Sequence, residues 1–186
     1  ACAKHFAAYG APQAGRDYAP VDISPATLAE MYLPPFKACI DAGVQTFMSA
    51  FNDLNGEPAT GSHWLLTDLL RNQWAFKGFV VSDWNAVQEL KAHGVAETDE
   101  DAAMAAFNAG VDMNMTDGLY NRCLEKLVRE NCIDMNEIDT SVERILRAKY
   151  ALGLFEDPYR FLDNQRESRE VRSASAMALA RKAAAS

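Results

Sequence analysis

Short apolar runs alternate along this chain with stretches whose apolar residues recur every three or four positions. That alternation predicts strands and helices in turn. Cys2 to Ala8 reads as a first strand closing at Tyr9-Gly10, and a polar loop follows from Ala11 to Ile23. Ser24 is placed to cap a helix that starts at Pro25, where a missing N–H has no helical partner to lose. Pro34-Pro35 interrupts that helix, because proline removes a donor and clashes with the preceding turn. A second helical piece runs from Pro35 to Ala42 and stops at Gly43. Val44 to Phe51 is the second strand, with a turn-rich exit at Asn52-Asp53-Leu54-Asn55-Gly56. Ser62 is placed to cap a helix carrying Leu65, Leu66, Leu69 and Leu70 on one face.

Gly78 opens a third strand, Phe79 to Ser82, which ends at Asp83-Trp84 and leads into a short helix from Ala86 to Ala92. Thr98 and Asp101 have the spacing of a capping box for a helix that ends near Ala109 and is closed by Gly110. Val111 to Met115 is a fourth strand, and Tyr120 to Arg129 a helix. A further helix starts near Asp134 to Glu137, presents Ile138, Val142, Ile145 and Leu146 on one face, and stops at Gly153. After Pro158 the pattern is irregular until an Ala- and Arg-rich helix from Glu167 to Ala185.

Strand and helix alternate four times, which predicts an α/β fold with parallel strands. Four such units make either a small open sheet or half of an eight-stranded (β/α)8 barrel. All four strand candidates end in polar or aromatic residues: Lys4-His5, Met48 to Asn52, Ser82-Asp83-Trp84 and Asp112 to Asn114. Barrel enzymes gather chemistry at the C-terminal ends of their strands, so the half-barrel accounts better for that clustering.

Composition narrows the function classes. The 186 residues are 49% hydrophobic and 24% charged, the balance of an ordinary globular domain, and no apolar run approaches the length of a membrane span. The formal net charge is −8, with no basic stripe to neutralise phosphates, so nucleic acid is disfavoured as a partner. Cys2, Cys39, Cys123 and Cys132 match no zinc or redox spacing and read as buried small hydrophobes. His63 and His93 are isolated and read as structural, so no metal is called for. No glycine-rich phosphate loop follows a strand, and no cofactor is called for either.

Asp83 is the sharpest chemical candidate. A carboxylate at the mouth of a buried strand can attack an electrophilic carbon, or it can cap the next helix, and local sequence weighs the two about evenly. Trp84 beside it offers an indole face to a sugar ring or simply packs in the core. Lys4 and His5 supply donors and an acceptor suited to hydroxyls. Neighbours on a strand point to opposite faces, however, so both reach one pocket only if the backbone departs from regular geometry there. Arg16 and Asp17 either pair with each other or contact ligand.

Several of these residues fall into ordered motifs that resemble the family 3 glycoside hydrolases, nearest to their periplasmic β-glucosidase branch. The motifs are Lys4-His5-Phe6-Ala7-Ala8-Tyr9-Gly10, Gly15-Arg16-Asp17-Tyr18, Leu33-Pro34-Pro35-Phe36-Lys37 and Met48-Ser49-Ala50-Phe51-Asn52 with Asn55-Gly56. They continue with Leu65-Leu66-Thr67, Phe76-Lys77-Gly78-Phe79-Val80-Val81-Ser82-Asp83-Trp84, Ala109-Gly110-Val111-Asp112-Met113 and Leu152-Gly153-Leu154-Phe155. The resemblance covers nearly the whole chain.

The resemblance implies that Asp83 is the nucleophile of a retaining mechanism acting on terminal β-D-glucosyl residues, through a covalent glycosyl-enzyme. It implies that Lys4 and His5 bind sugar hydroxyls, with a nonproline cis peptide in their motif, and that Trp84 and Met48 wall the same subsite. Arg16 and Phe51 are secondary candidates. Phe51 stands where the family often has a tyrosine, so a hydroxyl near the nucleophile is lost or supplied elsewhere. The family's general acid/base, a glutamate, lies in a second domain after this chain's end, and the first half of its barrel precedes the Lys-His motif. Residues 1–157 then correspond to the second half of the barrel, and 158–186 to a linker and helix leading to the second domain. The expected partners are a β-glucoside or oligosaccharide, the rest of the barrel and that domain, in a periplasmic or secreted setting. The isolated chain is expected not to turn over substrate. A β-xylosidase of the same family and a noncatalytic half-barrel for sugar binding or assembly are the alternatives.

Overall fold

In the computed structural model, which describes residues 1–185, the chain divides into two compact units, Ala1–Ala148 and Lys149–Ser186. The first is a mixed α/β arrangement. Three strands, β1 (Cys2–Phe6), β2 (Thr46–Ser49) and β5 (Phe79–Val81), pair in parallel in the order β1-β2-β5. A two-stranded antiparallel hairpin, β3 (Asp53–Leu54) and β4 (Glu57–Pro58), leaves the end of β2.

The strands meet over an aromatic core. Phe6 lies edge-on to Phe36 and Phe47, with ring centroids 5.0 and 5.2 Å apart, and Phe47 lies 4.9 Å from Phe76. Phe6, Phe47 and Val80 are wholly buried, as continuous apolar runs in a covered parallel sheet should be. Gly78 permits the close approach of β5 to β2. A Cβ there would stand 2.1 Å from the Gln45 carbonyl oxygen, which accepts the Phe79 N–H.

The helices start where the capping residues predict. Ser24 Oγ accepts the Thr27 N–H ahead of α1 (Pro25–Thr27), which runs on as a π-helical turn, Leu28–Tyr32. Pro34 and Pro35 occupy the first positions of α2 (Pro34–Asp41), so the break expected there is real. Ser62 Oγ accepts the Leu65 N–H at the head of a second π-helical segment, Trp64–Gln73, whose Leu65, Leu66, Leu69 and Leu70 are all buried. The helix α3 (Ala86–Glu89) is shorter than expected. The helix α4 (Asp99–Ala109) carries both halves of the Thr98–Asp101 capping box and ends at Gly110 with φ 115°. Then come α5 (Leu119–Arg129) and α6 (Met135–Ala151).

Four expectations need correction. Val111 to Met115 is not a ladder strand: it meets β5 through a single bridge, Val81 to Met113. The reason is chemical, since the Val80 N–H is taken by the Asp112 carboxylate at 2.8 Å rather than by a backbone carbonyl. On α6 the buried positions are Ser141 and Ala148, and Ile138 packs against the core, but Val142 and Leu146 stay exposed, so only part of its apolar face turns into this unit's core. Cys2 and Cys132 are exposed, one at the start of the outer strand β1 and one in the turn after α5, and of the four cysteines only Cys123 is buried. In the second unit the tail is two helices, α7 (Arg166–Glu170) and α8 (Ala174–Ala184). They are separated because Arg172 adopts φ 56° and Ser173 recaps the chain by accepting the Ala176 N–H. No helix among the described residues is long and apolar enough to cross a membrane.

Candidate active site

Parallel pairing brings the C-terminal ends of β1, β2 and β5 to one edge of the sheet, and the candidate residues sit there. β1 departs from regular geometry where Lys4 and His5 require it to. Its register on β2 slips between Ala3 and Phe6, and the Lys4–His5 and Phe6–Ala7 peptide bonds are cis. The cis peptide implied for this motif is therefore present. Lys4 and His5 both line a cavity of about 260 Å³, with Ala8, Tyr9, Tyr32 and Phe36.

Asp83 follows β5 directly and is 8% exposed. Its Oδ1 accepts the N–H of Trp84 at 2.7 Å. His5 Nε2 lies 3.1 Å from Oδ2, at ion-pair distance but off the line of a hydrogen bond, and Oδ2 is buried with no hydrogen-bond partner. A buried carboxylate oxygen without a donor is unfavourable in a resting fold and useful in a site where it must react. The alternative role, capping the helix that follows, is not what the side chain does. Its only hydrogen bond goes to the next residue, and α3 has no side-chain cap.

The other candidates divide. Met48 pairs in register with Val81, two residues before Asp83, and is half-buried. Trp84 is 60% exposed, so its indole is not core packing. Phe51 stacks on Tyr18 with centroids 4.5 Å apart and lies 6.0 Å from Tyr9. Arg16 stays in the exposed loop, and Asp17 turns instead to Tyr9, whose hydroxyl donates to it at 2.5 Å. That loop is anchored to the hairpin, with Val21 N–H donating to the Asp53 carbonyl and Asn55 N–H to that of Val21, each at 2.7 Å.

Three residues that the sequence reading passed over belong to this neighbourhood. Tyr9 sits edge-on to His5 with centroids 5.4 Å apart, and its hydroxyl is pushed up to about 12 by burial and by the hydrogen bond to Asp17. Tyr18 is raised by burial and then by the negative charges of Glu89, Asp17 and Asp83, which puts a hydroxyl in the field of Asp83 although Phe51 carries none. Glu89 is raised chiefly by burial, with His93 opposing and Asp83 and Asp117 adding, and its Oε2 is buried without a partner. The available signals were two tyrosines inside the ordered motifs and a glutamate one turn before His93 on a short helix that follows Asp83. His93 lies 2.8 Å from Asp53, and His63 lies 3.4 Å from Asp68.

Comparison with known proteins decides the family. Residues 1–148 match the family described as "Glycosyl hydrolase family 3 N terminal domain". The chain belongs to glycosyl hydrolase family 3. It is 48% identical over 159 residues to a periplasmic beta-glucosidase of Salmonella typhimurium, covering 86% of this chain and 21% of that protein. It is 40% identical over 183 residues to a putative beta-xylosidase of Formosa agariphila, covering 97% and 24%. The beta-glucosidase of Listeria innocua, a crystal structure, superposes with a TM-score of 0.91 at 42% identity over 98% of this chain and 25% of that one. That enzyme has also been solved with glucose. This family 3 chain thus spans between a fifth and a quarter of the length of these relatives.

Proposed function

We propose that this chain supplies the nucleophile and part of the sugar subsite of a retaining β-glucosidase, working as the second half of a (β/α)8 barrel within a longer enzyme. The carrying observation is the state of Asp83: oriented through Oδ1, unpartnered at Oδ2, and at the C-terminal end of a parallel strand beside His5. The relatives' names support hydrolysis of β-glucosides or β-xylosides, and the small share of their length that the chain covers supports the longer enzyme.

In this reading Asp83 Oδ2 attacks the anomeric carbon and forms a glycosyl ester. The bond to the leaving oxygen breaks, and that oxygen takes a proton from an acid outside residues 1–186. Water then attacks the same carbon and gives up a proton to the acid's conjugate base. The sugar departs with retained configuration, and Asp83 is a carboxylate again. The Trp84 N–H keeps Oδ1 from turning away, which leaves the unpartnered Oδ2 as the attacking oxygen. His5 and Lys4 donate to sugar hydroxyls, and Trp84 and Met48, outside the cavity those two line, supply apolar walls. Arg16, in the exposed loop, is a candidate for contact with the leaving group, and Phe51 with Tyr18 for the rim. A periplasmic or secreted location follows the Salmonella relative.

The test is the anomer released first from an aryl β-glucoside, followed by NMR in the full-length enzyme. β-Glucose supports the reading, and α-glucose contradicts it. The β-xylosidase relative favours a second reading, in which kcat/KM for an aryl β-xyloside exceeds that for the glucoside.

A further inference from the structure

Asp112 lies against Val80, the middle residue of β5 and three residues before Asp83, and neither capping nor sugar binding explains it. Its carboxylate, 2% exposed, accepts from Arg71 at 2.5 Å, from Arg144 at 2.8 Å and from the Val80 backbone N–H at 2.8 Å. The Asp112 and Met113 N–H groups both donate to the Val80 carbonyl, at 2.9 and 3.0 Å. Val80, three residues before Asp83, therefore has both its backbone polar groups held toward Asp112. Arg71 is itself built in: it donates to the Gly78 and Gly110 carbonyls, which fixes the approach of the two segments that carry Val80 and Asp112.

What this grip controls is the strand's exit. Pairing with β2 ends at Met48 and Val81. Beyond it, the Ser82 N–H goes to the Met113 carbonyl, Ser82 Oγ accepts the Met115 N–H, and the Asn85 N–H goes to the Met115 carbonyl and Thr116 Oγ1. Asp83 is thus bracketed by residues tied to the segment after Asp112, and the carboxylate sets where that segment lies. A large cavity of about 570 Å³ opens beside the cluster, lined by Arg71, Asp112 and Arg144 among others, and it includes neither Asp83 nor His5.

We infer that Asp112, clamped by Arg71 and Arg144, is a positioning residue that sets the reach of the Asp83 carboxylate through β5 and the 113–116 segment. This rests on Asp83 being the nucleophile. A displacement of about 1 Å at a reacting group can cost about a hundredfold in rate, so a clamp of this kind acts on turnover more than on binding.

The test is a double-mutant comparison in the full-length enzyme. Asp112→Asn and Arg144→Met are made with Asp83 present and again in Asp83→Gly supplied with azide. Azide attacks the anomeric carbon of a dinitrophenyl β-glucoside, forms the C–N bond, expels dinitrophenolate and leaves α-glucosyl azide. With Asp83 present, Asp112→Asn should lower kcat about a hundredfold and Arg144→Met about fivefold, with the dissociation constant for glucose unchanged within about twofold. In the azide background neither change should alter the azide-dependent rate by more than about twofold, because a diffusing nucleophile needs no strand to aim it. Equal losses in both backgrounds, or a loss confined to KM or glucose binding, overturn the positioning role. If Asp112→Asn does not fold, Arg144→Met decides, since Arg144 is partly exposed and its loss leaves Asp112 paired with Arg71. Wild-type turnover by Asp83→Gly without azide would instead overturn the nucleophile reading, a separate outcome.

Discussion

Asp83 and Asp112 border the same short strand and are buried to nearly the same extent, 8% and 7% exposed, yet their surroundings differ. The carboxylate of Asp112 is met by two guanidinium groups and a backbone N–H. That of Asp83 has one backbone donor, a histidine at ion-pair distance and one oxygen with no hydrogen-bond partner. Burying a carboxylate is unfavourable unless it is paired and hydrogen-bonded, so a fully partnered one serves the fold. A half-partnered one is retained where its lone pairs have other work. Burial alone would have ranked the two residues as equals; the count of donors separates them.

The sharpest way to break this comparison is to remove each carboxylate and read turnover and stability together. Asp83→Asn should reduce aryl β-glucoside turnover by roughly 10⁴-fold, as loss of a nucleophile does, while the melting temperature holds or rises. Asp112→Ala should do the reverse in stability, lowering it by about 3–5 kcal/mol in urea unfolding because the buried Arg71 and the partly exposed Arg144 lose their partner. If Asp83→Asn proved the more destabilising of the two, the division between a reacting and a structural aspartate would fail.

Smaller effects sharpen the picture. His5→Ala should lower kcat/KM by about 10²-fold, with little change in stability, if its imidazole serves the sugar and Asp83 rather than the core. Thr98→Ala removes one half of the α4 capping box, which has no assigned role in the candidate site, and should cost about 1 kcal/mol with activity intact. Tyr9 gives a pH-dependent test. Its hydroxyl is held protonated in the fold, to about 12 against an ordinary 10, so the folded state binds the extra proton in that window. The stability it contributes is fully present below pH 10 and is lost as the pH rises toward 12. Tyr9→Phe should flatten the unfolding profile in that window alone.

Much of this was legible in the residues, and unevenly so. Ser24, Ser62 and the Thr98–Asp101 box cap their helices because capping is local: the donors lie three residues away. Asp83 stood out as an acid at the mouth of the apolar run Phe79-Val80-Val81, which local sequence left even between a helix cap and a nucleophile, and the ordered motifs favoured the nucleophile. The 111–115 segment failed as a ladder strand for a reason no pattern of apolar residues carries. A side chain 32 positions away in sequence, Asp112, replaces a backbone acceptor for Val80. Tyr9, Tyr18 and Glu89 were missed for the same reason, since their relation to His5, Phe51 and Asp83 exists only once the loop has folded back over the strand ends. The exposed Val142 and Leu146 show the limit of periodicity: it predicts an apolar face and not what covers it.

The claim that Asp83 reacts covalently is open to direct trapping. The full-length enzyme is incubated with dinitrophenyl 2-deoxy-2-fluoro-β-glucoside, whose fluorine slows both steps while the dinitrophenolate leaving group keeps formation of the glycosyl ester faster than its hydrolysis, then digested and mapped by mass spectrometry. The account predicts one fluoroglucosyl group per active site, on the peptide containing Asp83 and absent from Asp83→Asn. A label on any other residue, or no label from an enzyme that turns over the parent glucoside and releases α-glucose first, would contradict it.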